Sequence, residues 1–142
     1  MAKQPNLSPD LINKYSSMNN SNKSSSGEFV SKLWHSAMQT HMFHLMSPSY
    51  AQHKALNKFY DNMPDLADEI AETLMGTDGK ISGYSSSMTF DNTYNPIGFL
   101  NGLRQYVVST RESVSTKTNF INQTDAVLDL IDSTLYKLKE LK

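Results

Sequence analysis

Apolar residues recur along much of this chain at the three-to-four-residue spacing of an α-helix. The first such run starts at Glu28 and has Ser26 before it as a suitable N-cap. It ends at Ser47-Pro48-Ser49, because proline disfavours helical backbone in the residue before it. The positions that define this helix are Phe29, Val30, Leu33, Ala37, His41 and Leu45.

A second helix is predicted from about residue 48 to about Met75. Pro64 lies inside it, and we expect the missing backbone N–H to kink the helix there. Gly76 and Gly79 are expected to end it. Its apolar stripe consists of Leu56, Phe59, Tyr60, Met63, Leu66, Ala67, Ile70, Ala71 and Leu74.

A long connection and two further helices are predicted for the rest of the chain. Residues 76–95 are rich in Gly, Ser, Asn and Pro and are long for a bundle loop. We therefore expect them to cross the bundle or to contain a short helix of their own. A third helix is predicted over Pro96–Val114 and a fourth from about Gln123 to Leu141. These elements predict an all-α fold, a ferritin-like four-helix bundle with a long crossover between helices 2 and 3.

The composition is typical of one globular domain. The 142 residues suffice for one core, and the net charge of −1 argues against strong general attraction to nucleic acid or anionic lipid. Residues 1–27 are rich in Ser and Asn and predict a flexible tail before a domain over residues 28–142. The absence of cysteine excludes disulfides, zinc–thiolate sites and iron–sulfur clusters, and it fits a cytoplasmic location. No segment resembles a signal peptide or a membrane span.

Two histidines and two carboxylates are candidate metal ligands. His41, His53, Asp68 and Glu72 follow one another at steps of 12, 15 and 4 residues. Imidazole and carboxylate together suit iron, zinc or manganese. Asp68 and Glu72 share one helix face because they are four residues apart. His41 and His53 flank the turn between the first two helices, so their imidazoles can converge there.

The distance along the second helix separates these ligands into two groups. His53 and Asp68 are about 22 Å apart along one straight helix, whereas metal–ligand bonds are about 2 Å long. The chain therefore has either two separate weak sites or a site that a second copy completes. A two-fold axis near residues 59–61 would place Asp68 and Glu72 of the mate beside His41 and His53. We expect the same helix to supply both core and interface contacts, through Leu56, Phe59, Tyr60 and Met63.

The order and spacing of these four residues resemble the mini-ferritins, the family of the DNA-binding protein from starved cells (Dps). The segment Asp68-Glu69-Ile70-Ala71-Glu72 is its most recognisable part, and the helical layout extends the resemblance over residues 28–141. The resemblance implies a ferroxidase centre with His41 and His53 from one subunit and Asp68 and Glu72 from its two-fold mate. It also implies a hollow dodecamer that oxidises ferrous iron with hydrogen peroxide or dioxygen, stores ferric mineral and protects against oxidative damage.

Several positions depart from this resemblance. Met42 stands where the family commonly has Trp, and Asn57 where it often has an acidic residue. Residues 122–125 are less acidic than the pore through which iron enters many relatives. These departures favour an alternative, a non-catalytic helical oligomeric assembly protein with a degenerate bundle. A DNA-binding module is a weaker interpretation, because the tail spreads only three lysines over residues 1–27.

Other residues near the candidate ligands have less defined roles. His44 lies one helical turn from His41 and is either a supporting residue of the site or a surface histidine. His35 is not expected to bind metal. Trp34 and Tyr60 could quench radicals near the site, but ordinary packing is the favoured interpretation.

Overall fold

The computed structural model describes residues 25–142, which form four α-helices and no strand. We number the helices in chain order as α1 (Ser26–Met46), α2 (Tyr50–Asp78), α3 (Pro96–Val114) and α4 (Thr118–Glu140). The all-α prediction is confirmed for this part of the chain. Residues 1–24 of the predicted tail lie outside the described residues. Its last three residues, 25–27, form the N-cap and the start of α1.

Short polar side chains cap the first three helices. Ser25, Ser49 and Asn95 each accept a hydrogen bond from the backbone N–H of the third residue that follows. These bonds satisfy N–H groups that have no partner within the helix. The cap of α1 is thus Ser25, one residue before the predicted Ser26.

The second helix continues past its predicted end. It reaches Asp78, and Gly79 ends it with a φ of 80°, a backbone conformation that glycine adopts without strain. Pro64 lies inside α2 without ending it. Because Pro64 is exposed, the backbone position that lacks an N–H is on the solvent side of the helix.

The fourth helix begins earlier than the hydrophobic pattern indicates. Its first residue is Thr118, five residues before the predicted Gln123. Lys117 provides no side-chain cap, so the usual signal for a helix start is missing. Phe120 is only 1% exposed, and its burial in the core stabilises this additional turn.

The four helices surround one hydrophobic core. In the described part of the chain, α1 packs against α2 and α3, and α4 packs against α2 and α3. In residues 25–142, the backbones of the diagonal pairs, α1 with α4 and α2 with α3, do not approach each other closely. The largest fully buried side chains come from all four helices and include Phe29, Phe43, Phe59, Met63, Ile70, Leu100, Phe120 and Ile131.

The connection over residues 79–95 contains no helix and follows α1. The Gly27 N–H donates to the Ser82 carbonyl at 3.0 Å, near the start of α1. Further on, the Gln39 side chain accepts from the Asp91 N–H at 2.7 Å and donates to the Asp91 carbonyl at 3.1 Å. The connection therefore accompanies α1 over about 18 Å.

No helix in residues 25–142 is both long enough and apolar enough to cross a membrane.

Candidate metal site at the α1–α2 hairpin

Two imidazoles lie against each other at the turn between α1 and α2. The rings of His44 and His53 are stacked, with centroids 3.5 Å apart and planes inclined by 24°. His44 Nδ1 lies 2.7 Å from the His53 carbonyl oxygen, and His53 Nδ1 lies 3.0 Å from the His44 carbonyl oxygen. The two residues therefore join the end of α1 to the first turn of α2.

These hydrogen bonds define where each ring carries its proton. A carbonyl oxygen can only accept, so Nδ1 of both His44 and His53 must be the donor. In a neutral imidazole this leaves the lone pair on Nε2, the atom that can bind a metal ion. Donation of the other ring nitrogen to a carbonyl is the usual second interaction of a metal-binding histidine. The local chemistry of His53 thus suits a ligand.

His41 lies on the exposed side of the same cluster. Its ring stacks on Tyr60 at a centroid distance of 4.0 Å, and it meets His44 edge-on at 5.9 Å. His44 also contacts Tyr60 edge-on, at 5.1 Å. The two predicted ligands, His41 and His53, thus both contact His44, which lies in the cluster between them.

A short chain of polar side chains continues from Tyr60 along α2. The Tyr60 hydroxyl donates to Asn57 Oδ1 at 3.1 Å, and Asn57 Nδ2 donates to Asp61 Oδ2 at 2.6 Å. Burial, and then the Asp61 carboxylate, raise the pKa of Tyr60 above its ordinary value. The phenol therefore stays protonated at neutral pH and remains a hydrogen-bond donor to Asn57.

The two predicted carboxylate ligands lie further along α2. Asp68 and Glu72 are both exposed, and no hydrogen bond or ion pair within residues 25–142 engages either side chain. Each residue of an α-helix turns about 100° around the axis. The 15 residues from His53 to Asp68 therefore make about four full turns plus about 60°, so the two side chains are only about 60° apart around the helix. His53 and Asp68 therefore lie towards the same side of α2, about 22 Å apart along its axis.

One chain does not bring the two halves together. Within residues 25–142, no three His, Asp or Glu side chains form a group that could hold a metal ion. The expectation that Leu56, Phe59 and Met63 serve both core and interface is wrong, because all three are 0% exposed in the single chain. Only Tyr60 of that set is partly exposed, and any interface must use other apolar residues.

His44 is the member of the cluster whose position the sequence left open. It is 7% exposed, so it is a buried residue of the hairpin and not a surface histidine. His41 and His44 are three residues apart, so the sequence places them on one face of the helix. That spacing does not show which of the two histidines contacts His53.

His35 lies away from this cluster, against the connection. Its Nε2 donates to the Thr89 carbonyl at 2.6 Å, and its ring stacks on Phe90 with centroids 4.8 Å apart. His35 therefore attaches the connection to α1. It lines a cleft of about 240 Å³ between these two segments, together with Glu28 and Lys32.

Over residues 25–142, the fold and this cluster define an all-α arrangement of four helices with a histidine-rich hairpin turn. Residues 44–138 match a family described as a family of unknown function (DUF5856). The match covers more than half of the chain, which therefore belongs to that family. Among curated proteins and among solved structures, nothing matches this chain.

Proposed function

We propose that this chain is a Dps-like ferroxidase and iron-storage subunit, in which two copies share each iron-oxidising site. His41 and His53 of one copy would bind iron together with Asp68 and Glu72 of the other. The observation that carries this proposal is that the candidate ligands form two incomplete half-sites on the α1–α2 hairpin. The first turn of α2 has the imidazole of His53, whose tautomer suits metal binding, and the second half of α2 has two exposed carboxylates.

The arrangement of the helices supports a ferritin-like bundle with one long crossover. The contacts place the helices around the bundle in the order α1, α2, α4, α3. The connection starts near Gly27 and ends where the Tyr94 hydroxyl donates to Gln52 Oε1 in the first turn of α2. It therefore leads from one end of the bundle to the other, so that α3 runs parallel to α2, as a single long crossover requires.

The proposed donor set suits the reaction. Iron is the substrate, and two ferrous ions supply the two electrons that reduce one molecule of hydrogen peroxide to water. The carboxylates of Asp68 and Glu72 would stabilise the higher charge of ferric iron, and the imidazoles would complete the ligand set. Zinc or manganese would compete for the same donors. Consumption of peroxide in the cytoplasm would protect against oxidative damage, and a closed shell of twelve copies would store the mineral.

Subunit complementation tests whether the site is shared. His53→Ala and Asp68→Ala are each expected to abolish rapid ferrous-iron oxidation. When the two variants are co-expressed and purified as a mixed assembly, half of the dimers pair unlike chains, and each has one intact site. Roughly a quarter of the wild-type rate should return, measured by ferric absorbance after anaerobic iron loading and peroxide addition.

Two comparisons make this test specific. Mixing His53→Ala with His41→Ala should restore nothing, because both defects are then in the same half-site. Asp65→Ala, an exposed acidic residue one turn before Asp68, should retain the wild-type rate. Equal activity of the mixed and unmixed variants would contradict a shared site. A wild-type protein that does not accelerate iron oxidation would contradict the function itself.

A second candidate function is a non-catalytic helical assembly protein. The reciprocal hydrogen bonds of His44 and His53 favour it, because they give these histidines a structural role in closing the hairpin without any metal. Asn57, bound to Tyr60 and Asp61, likewise has a structural role where the resembling family often has an acidic residue. An oligomer that leaves the rate of aerobic iron oxidation unchanged would support this candidate.

A further inference from the structure

A stripe of apolar side chains lies exposed along the outer face of α1. Trp34, Met38, Met42 and Leu45 follow one another at steps of four, four and three residues, so they share one face of the helix. Their exposed fractions are 36%, 56%, 37% and 74%. We call these four residues the α1 stripe. Large apolar residues that are exposed singly are common, but a continuous row along about 16 Å of helix indicates an interaction surface.

The neighbours of the α1 stripe leave its outer side open. On one side lies α2, which meets α1 through the contact of His41 with Tyr60. On the other side lies the connection, whose Tyr84 stacks on Trp34 with centroids 6.2 Å apart. Tyr84 is itself 48% exposed and extends the apolar surface. The stripe therefore forms the exposed centre of a surface bordered by α2 and by the connection.

The charges beside the α1 stripe are different at its two ends. Near the turn, the positive charge on the exposed side of α2 is that of Lys54. Further along α2, as far as Glu72, the exposed charged side chains outside the groove between α2 and α4 are the carboxylates of Asp61, Asp68 and Glu72. A two-fold axis reverses the direction of the hairpin, so it would bring the basic end of one copy against the acidic end of the other. This self-complementary charge pattern selects a second copy of the chain as the partner.

We propose that the α1 stripe packs against the same stripe of a second copy, about a two-fold axis near Met38. The contact of His41 with Tyr60 places residues 37–41 of α1 beside the part of α2 where the predicted axis lies. Met38 is the most exposed apolar residue of that segment. Tryptophan and methionine are enriched at such interfaces, and the charges at the rim determine the orientation of the two copies. This inference deepens the proposed function and rests on its two-fold pairing, but not on iron.

The mass of the full-length protein tests this interface. Size-exclusion chromatography with light scattering should show an assembly of two or more copies for the wild type. In Met38→Glu, two added carboxylates would face each other across the axis, and the dimer dissociation constant should rise about a hundredfold or more. The matched control is Val108→Glu on α3, where the replaced side chain is 46% exposed and lies outside the α1 stripe. A monomeric wild type, or equal loss of assembly in both variants, would overturn the proposal.

A single introduced cysteine gives a second test, because the chain has no cysteine of its own. Met38→Cys lies near the axis, so its thiol should form a disulfide with the same residue of the partner under mild oxidation. Val108→Cys should not cross-link at the same protein concentration. No cross-linking of Met38→Cys in an assembled protein would exclude the α1 stripe as the interface. A cross-linked dimer that fails to oxidise iron would confirm the interface and contradict only the ferroxidase proposal.

Discussion

His44 and His53 each donate a ring N–H to the backbone carbonyl of the other, at 2.7 and 3.0 Å across the α1–α2 turn. The exchange gives the His44 carbonyl, at the end of α1, a second donor beside the Ser47 N–H, which lies 3.3 Å from it. It also holds both imidazoles in one tautomer with Nε2 carrying the lone pair. The same pair of residues thus closes the hairpin and prepares one side of the proposed iron site.

His44→Ala should destabilise the fold by about 2 kcal/mol. The substitution removes a buried side chain and its stacking on His53, and it leaves the His53 carbonyl without this donor. His41→Ala, which replaces an exposed ring, should cost below about 1 kcal/mol. Urea unfolding followed by circular dichroism measures both. Equal midpoints for the two variants would show that the reciprocal bonds contribute little.

Conservative changes of the two proposed carboxylate ligands should slow iron oxidation without unfolding the protein. Asp68→Asn and Glu72→Gln keep the shape of each side chain but remove its charge, and initial rates should fall at least about tenfold. Asp65→Asn and Glu69→Gln remove the same charge from neighbouring exposed positions and should retain more than about half of the rate. If all four variants slow the reaction equally, the effect comes from the general negative potential of α2 and not from ligation.

Gly27→Ala should be among the most damaging single substitutions in the chain. A Cβ at this position would clash with the Ser82 carbonyl oxygen and would lie 2.6 Å from the Tyr84 nitrogen; both are backbone atoms of the connection. The connection would have to move away from α1, at a cost of about 2 kcal/mol or more. Gly102→Ala is the matched control, since nothing lies within 4 Å of its Cβ. It should stabilise α3 by about 0.5–1 kcal/mol, and thermal unfolding would compare the two.

Tyr106 should make the stability of the protein fall in strongly alkaline solution. Burial, and then the Glu28 carboxylate, raise the pKa of Tyr106 to about 12 from its ordinary value of 10.0. Below pH 10 the phenol is protonated in both folded and unfolded chains, so its stabilising contribution is fully present. Between about pH 10 and 12 only the unfolded chain loses the proton, and that contribution is lost.

The measurement for Tyr106 is a comparison with Tyr106→Phe. After allowance for solvent screening, Tyr106 should lower the free energy of unfolding by about 1 kcal/mol between pH 10 and 12. Near pH 7 the Phe variant should match or exceed the wild type, because the Tyr106 hydroxyl is buried without a hydrogen-bond partner. Identical pH dependence of the two proteins would show that the hydroxyl is accessible to water.

Helix number and type followed from local patterns, because each apolar stripe has the period of a helix over four or more turns. The boundaries near strong caps were predicted to within a few residues, as at Asn95 and Pro96 of α3. The start of α4 was not, because Lys117 provides no cap and the additional turn depends on the burial of Phe120 in a core formed by the other helices. Tertiary packing decided that boundary.

The sequence by itself determined which residues could bind a metal and that His53 and Asp68 could not meet within one straight helix. That inference needs only residue types and the fixed rise of an α-helix. Tertiary structure decided that His44 lies against His53, that Leu56, Phe59 and Met63 are fully buried in the core, and that a row of exposed apolar residues runs along α1. These features depend on which helix faces meet, and periodicity specifies a face without specifying its partner.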